Sequence, residues 1–96
     1  MTVDKPKSHY TYIVRCADGS LYTGWTTDLD ERMKAHNSGA GAKYTRGRGP
    51  VQLIYSESFE TKNEALKREC RIKKLKRAGK LKLAGQEEDP AWKRTK

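Results

Sequence analysis

The sequence predicts an α/β (α+β) fold, a small three-stranded antiparallel sheet flanked by helices in the order β-β-α-β-α with a short third helix to follow. Three observations carry that expectation. Two short runs rich in aromatic and β-branched residues, HYTYIVRC and LYTGW, are separated by Asp18-Gly19. Two stretches, DLDERMKAHNSG and TKNEALKREC, combine helical spacing with capping residues. Between them lies a third strand-like run, VQLIYSESF. With 96 residues the chain has room for one core, expected over residues 9 to 83, with a loose tail at 1 to 8 and a charged tail at 84 to 96 broken by Pro90.

The first element is a hairpin whose register depends on its turn. If Asp18-Gly19 is a two-residue loop, Arg15 sits opposite Tyr22, and Tyr12 and Tyr22 point to opposite faces. If Ala17-Asp18 form a type I turn and Gly19 takes the left-handed bulge position, Val14 faces Tyr22, Tyr12 faces Gly24, and both tyrosines share a face. The sequence permits either register; the bulged one is favoured.

Thr27 or Asp28 then caps a helix with acidic residues in its first turn and Gly39 as its stop. Within it Leu29, Arg32, Met33 and His36 form one stripe, which puts two polar side chains on an apolar face. A loop rich in glycine and basic residues, AGAKYTRGRGP, leads to the third strand, where Val51, Leu53 and Tyr55 alternate with more polar neighbours. Thr61 caps the second helix, and Glu64 completes a capping box. That helix is expected to continue to about Ala78, with Ala65, Leu66, Cys70 and Ile72 defining an apolar arc that includes Glu69. A further helical piece is expected around Lys80 to Leu83.

The formal net charge is +9, so the field around the chain attracts polyanions and makes nucleic acid the first partner to consider. Cys16 and Cys70 stand far apart with no C-x-x-C spacing, which suggests neither a zinc site nor a disulfide framework. No apolar run approaches the roughly 20 residues that cross a bilayer, and no secretory segment opens the sequence, so a cytoplasmic protein is expected.

Five polar side chains fall on inward faces: Tyr12, Tyr22, Arg32, His36 and Glu69. Burying an arginine and a carboxylate is costly unless they pair, bind an ion or line a wet cleft. Two readings stay open on pattern alone, a structural Arg32 to Glu69 ion pair with core tyrosines, or a reactive site.

Taken in order, these residues resemble the GIY-YIG nuclease family, in which two tyrosine-containing strand motifs precede a helix with an arginine and a later helix with a metal-binding glutamate. The first motif reads YTY at 10 to 12 and the second YTG at 22 to 24; Arg32 follows Gly24 by eight residues, and Glu69 stands in EALKRE. The chain is similar to the small single-domain bacterial members. In RxxxHN and YTRGRGP it is also similar to the catalytic subunit of branched-DNA endonucleases. The likeness covers residues 9 to 80.

The resemblance implies a metal-dependent endonuclease that hydrolyses DNA phosphodiester bonds, in DNA repair or processing, with low sequence specificity. Glu69 would hold one Mg²⁺ or Mn²⁺, and Arg32 would grip phosphate oxygens with its planar fork. One tyrosine would orient or deprotonate the attacking water, Tyr12 being favoured over Tyr22, and His36 would assist a tyrosine or the substrate or else be a satisfied helix histidine. Lys43, Arg46, Arg48, Lys73 and Lys76 are candidate DNA phosphate contacts. Trp25 could stack on a base but is better suited to the core opposite Tyr10 or Tyr12. Departures from the family pattern are Thr23 for an isoleucine, Trp25 where excision-repair relatives carry lysine, and no asparagine after Asn63. The rival reading is a non-catalytic nucleic-acid-binding module or a subunit of a nuclease complex. In either case a monomer is expected, acting on branched or single-stranded DNA, with a partner protein supplying specificity.

Overall fold

The hairpin turn is settled by Gly19, which has φ 87° in the computed structural model. That left-handed backbone costs an ordinary L-residue roughly 1–2 kcal/mol. Cys16 N–H donates to Ser20 O at 2.8 Å and Gly19 N–H to Cys16 O at 2.9 Å. The result is the bulged register, with Tyr12 opposite Gly24 and Val14 opposite Tyr22, so both tyrosines share one face.

The structure describes residues 8 to 39 and 41 to 85. Its elements are β1 (His9–Arg15), β2 (Leu21–Thr26), α1 (Leu29–Ser38), a 3-10 turn (Lys43–Thr45), β3 (Gln52–Phe59), α2 (Lys62–Lys73) and α3 (Arg77–Leu83). The expected tails lie outside the described residues, apart from Ser8, Ala84 and Gly85. Among the described residues, no helix is long and apolar enough to cross a membrane.

The sheet order is β2-β1-β3, all antiparallel. Because side chains alternate along β1, its two faces carry different cores. Tyr12 and Val14 join Cys16 and Val51, with Tyr22, Leu29 and Met33 packed against them, so α1 covers this face. Thr11 and Ile13 point the other way, and the Thr11 hydroxyl donates to Ala65 O at 2.7 Å, which places α2 there. Ala65 and Ile72 of α2 and Leu81 of α3 are also buried.

Three expectations need correction. In β3, pairing shifts between Ile13 and Val14: Ile13 faces Tyr55 and Val14 faces Leu53, leaving Ile54 as an extra residue. This bulge sends Leu53 and Tyr55 to opposite faces and leaves Leu53 38 % exposed. Helix α2 ends at Lys73 rather than near Ala78, and α3 begins at Arg77. No strong local breaker occupies residues 74 to 76; the chain turns there and buries Leu81. Cys70 is exposed, because at about 100° per residue it lies some 140° round α2 from Ala65, whereas Glu69 and Ile72 lie close to it.

The caps follow the sequence. Asp28, not Thr27, is the N-cap of α1, its Oδ1 accepting from Glu31 N–H at 3.1 Å, and Gly39 closes the helix at φ 88°. Thr61 and Glu64 form the reciprocal capping box of α2.

Candidate active site

The shared hairpin face and one stripe of α1 bring four of the five inward polar residues together. Arg32 Nε–H donates to the Tyr12 hydroxyl at 3.2 Å, and that hydroxyl lies 2.8 Å from His36 Nε2. The Tyr12 and Tyr22 rings are 6.4 Å apart, and each meets the His36 ring edge-on, at 5.8 Å and 5.6 Å. Gly24 makes the arrangement possible, since a Cβ there would stand 2.7 Å from the Tyr12 hydroxyl.

Burial separates the two tyrosines. Tyr12 has no exposed surface, whereas Tyr22 is half-buried. Burial raises the Tyr12 pKa above the ordinary 10.0, and the hydrogen bond from Arg32 only partly opposes this. Arg32 is itself held more firmly as a cation by its hydrogen bond to Tyr12, with Tyr22 adding a smaller hydrogen-bonding contribution. His36, 1 % exposed, is pushed below 6.5 by burial and then by the Arg32 charge. Both influences favour the neutral imidazole over the cation.

Among the described residues, no hydrogen bond or ion pair joins Glu69 to the tyrosines or to Arg32. Its Oε2 pairs with Lys73 Nζ at 3.1 Å one turn along α2, with the glutamate side chain 15 % exposed. Its charge reaches Tyr12, as the smallest of the influences on that hydroxyl. The Arg32 to Glu69 ion pair entertained from sequence does not form among the described residues, because Arg32 is engaged by tyrosine and Glu69 by lysine. No cluster of three His, Cys, Asp or Glu side chains able to hold a metal occurs among the described residues.

The candidate DNA contacts differ in freedom. Lys43 and Arg46 are exposed on and beside the 3-10 turn. Arg48 is tied down, with Nε 3.5 Å from Asp18 Oδ2 and its guanidinium 4.4 Å above the Tyr44 ring. Tyr44 in turn stacks on Tyr22 at 5.8 Å. Lys73 is engaged by Glu69, and Lys76 is exposed at the start of α3. Trp25 pairs with Thr11 rather than Tyr10 or Tyr12; it is half-buried, stacked 6.4 Å from His9 with Lys62 over its ring.

Sequence reasoning missed two supports of the site. Thr45 Oγ1 lies 2.8 Å from His36 Nδ1 and 2.9 Å from Ala42 O. Asn37, in the RxxxHN run, accepts from Val51 N–H at 2.6 Å and ties α1 to the approach to β3. The run marked Asn37 for notice, but nothing in YTRGRGP distinguishes Thr45 from an ordinary loop threonine.

Sequence comparison points the same way as the geometry. Residues 8–82 match the GIY-YIG catalytic domain. The chain is 64 % identical over 75 residues to the UPF0213 protein CPE1444 of Clostridium perfringens, covering 78 % of this chain and 81 % of the relative. It is 61 % identical over 75 residues to the UPF0213 protein SSP2268 of Staphylococcus saprophyticus, covering 78 % and 92 %. Two solution NMR structures are similar. The UPF0213 protein BH0048 from Bacillus halodurans gives a TM-score of 0.53 at 48 % identity, over 91 % of this chain and 92 % of that one. EF2693 from E. faecalis gives 0.55 at 45 % identity, over 86 % and 90 %.

Proposed function

This chain belongs to the GIY-YIG catalytic domain family, a family of nucleases, and from that premise we propose that it is a metal-dependent endonuclease hydrolysing DNA phosphodiester bonds. The observation that carries the reading is Arg32, a cation held by the Tyr12 hydroxyl beside a second tyrosine on the same hairpin face. Phosphodiester hydrolysis needs an in-line water, a group to orient it and positive charge on the phosphate. Arg32 gives its Nε–H to Tyr12 and makes a weaker hydrogen bond with Tyr22; the remaining N–H groups of its fork would meet phosphate oxygens.

The water falls to Tyr22. A hydroxyl with no exposed surface and a raised pKa is poorly placed to meet a solvent water, which argues against Tyr12, the tyrosine that the sequence favours. Tyr12 then serves to hold Arg32, with His36 behind it. Of the five candidate phosphate contacts, Lys43, Arg46 and Lys76 are exposed and outside the Asp18 and Glu69 ion pairs, which suits them to the DNA backbone. No further domain reads sequence within the matched region, so preference for branched or single-stranded DNA rests on shape or on a partner protein.

Glu69 fits a single hard divalent ion, Mg²⁺ or Mn²⁺. It is a mostly buried carboxylate whose Oε1 has no hydrogen-bond partner among the described residues, and such ions accept one carboxylate and keep several waters. When bound, the ion would supply positive charge to the phosphate and leaving oxygen. A second reading, a nucleic-acid-binding module without turnover, is favoured by one observation: Lys73 already neutralises Glu69.

Cleavage of plasmid, single-stranded and branched DNA with Mg²⁺ or Mn²⁺ tests the proposal. Wild-type product that is lost in Glu69→Ala and reduced about 10²–10³-fold in Arg32→Ala supports it. Salt-sensitive binding without product from the wild type would favour the second reading.

A further inference from the structure

We infer that Thr45 is a positioning residue: its hydroxyl fixes His36 as the Nδ1–H tautomer, which makes Tyr12 a donor to His36 and an acceptor from Arg32. The consequence for phosphate binding rests on the nuclease reading above; the proton assignment does not.

The assignment follows from counting protons. A threonine hydroxyl has one proton and two lone pairs. Thr45 Oγ1 lies 2.9 Å from Ala42 O, which can only accept, so the proton goes there. The 2.8 Å contact between Thr45 Oγ1 and His36 Nδ1 is then a hydrogen bond only if Nδ1 carries hydrogen. A neutral imidazole has one N–H, which leaves Nε2 bare. Nε2 must therefore accept from the Tyr12 hydroxyl at 2.8 Å. The Tyr12 oxygen keeps its lone pairs for Arg32 Nε–H at 3.2 Å.

The other end of the chain demands the same direction. If His36 carried its proton on Nε2 and donated it to Tyr12, the phenol proton would need another acceptor. Arg32 Nε is a donor and cannot serve. Tyr12, His36 and Thr45 are each at most 1 % exposed, so solvent does not offer one. A reversed chain would strand a buried donor without a partner.

The loop is built for this contact. Gly41 lies so close to His36 that a Cβ there would overlap the imidazole, which lets the backbone close onto the ring. The 3-10 turn then holds Thr45 in place, its N–H also donating to Ala42 O at 3.0 Å.

The test is ¹⁵N NMR of the His36 ring at neutral pH in the full chain, comparing wild type, Thr45→Val, which keeps the shape without the hydroxyl, and Thr45→Ser, which keeps the hydroxyl. The expected result is a protonated Nδ1 and bare Nε2 in wild type and Thr45→Ser, with Nε2–H gaining population in Thr45→Val. Wild-type protein in the Nε2–H form, a result that needs no variant, would overturn the proposal; so would a Thr45→Val ring with the wild-type pattern. Run beside it, DNA cleavage should fall about 10- to 100-fold in Thr45→Val, the usual cost of losing an outer partner that orients a site, and recover in Thr45→Ser. The expected tautomers with no cleavage by any variant would overturn the nuclease reading alone. Cleavage by all three with a tautomer indifferent to Thr45 would overturn the positioning role alone.

Discussion

Gly24 and Tyr12 fit together across the hairpin with no space between them: a Cβ at position 24 would lie 2.7 Å from the Tyr12 hydroxyl and 2.9 Å from its Cζ. The ring cannot swing aside, because Tyr12 is fully buried and its hydroxyl is bound by Arg32 and His36. Gly24→Ala should therefore overpack the site, at about 1–3 kcal/mol. Thermal unfolding should show a loss of roughly 4–8 °C for each kcal/mol in a domain this small. An unchanged melting temperature would mean that the glycine is not needed for packing.

Stability should depend on pH with two signs. The folded-state pKa of His36 is depressed below 6.5 by burial, and secondarily by Arg32. The unfolded chain thus takes up a proton first, so the contribution of His36 is fully present above about 6.5 and fades as pH falls through the folded-state value. Tyr12 is opposite: burial raises it above 10.0 against the opposing Arg32 hydrogen bond. Its share is present below about pH 10 and is lost as pH rises through the folded-state value. Urea denaturation across pH should show the acidic decline flattened in His36→Gln and the alkaline one flattened in Tyr12→Phe. Asp18, lowered below 3.8 mainly by its hydrogen bonds from Ser20, acts further down the scale and does not confuse the comparison.

Asn37→Ala should destabilise the join between α1 and β3. It removes the acceptor for the Val51 N–H at 2.6 Å, and Val51 is 8 % exposed, so water reaches the abandoned donor poorly. An unsatisfied buried N–H costs about 1–3 kcal/mol. Asn37→Asp keeps the acceptor and should retain most of the stability, which chemical denaturation of the pair would measure.

What the sequence made legible follows from the range of the interactions involved. The helix caps and the Gly19 turn are local chemistry written within four residues, and they form as read. The tyrosine face was legible because turn type dictates register, and the α1 stripe because helical spacing is fixed. The Ile54 bulge and the break after Lys73 were not, since both are decided by packing between distant segments. Within the site, Arg32 and His36 were placed by periodicity, but their hydrogen bonds were not. The partner of Arg32 is a tyrosine twenty residues away, and His36 meets a loop threonine whose position depends on the chain closing over Gly41.

Lys43 and Arg46 should contribute to DNA binding differently from Arg48. The first two project from the exposed rim of the loop, so each is free to replace a counterion on a phosphate. Arg48 spends its charge inside the protein, on Asp18 at 3.5 Å and on the Tyr44 ring at 4.4 Å, and its Nη1 also donates to Tyr44 O at 3.4 Å. Fluorescence anisotropy of a single-stranded oligonucleotide over a range of salt should then show Lys43→Ala and Arg46→Ala each lowering the slope of log K against log salt by about 0.7. Arg48→Ala should leave that slope nearly unchanged and instead loosen Tyr44 from Tyr22, visible as altered aromatic NMR shifts, because the cation that caps the ring stack is gone. A slope lowered as much by Arg48→Ala as by Arg46→Ala would mean that Arg48 leaves Asp18 and Tyr44 when DNA arrives. The loop would then change conformation beside Tyr22 on binding, and the Asp18 to Arg48 pair would belong to the free protein alone.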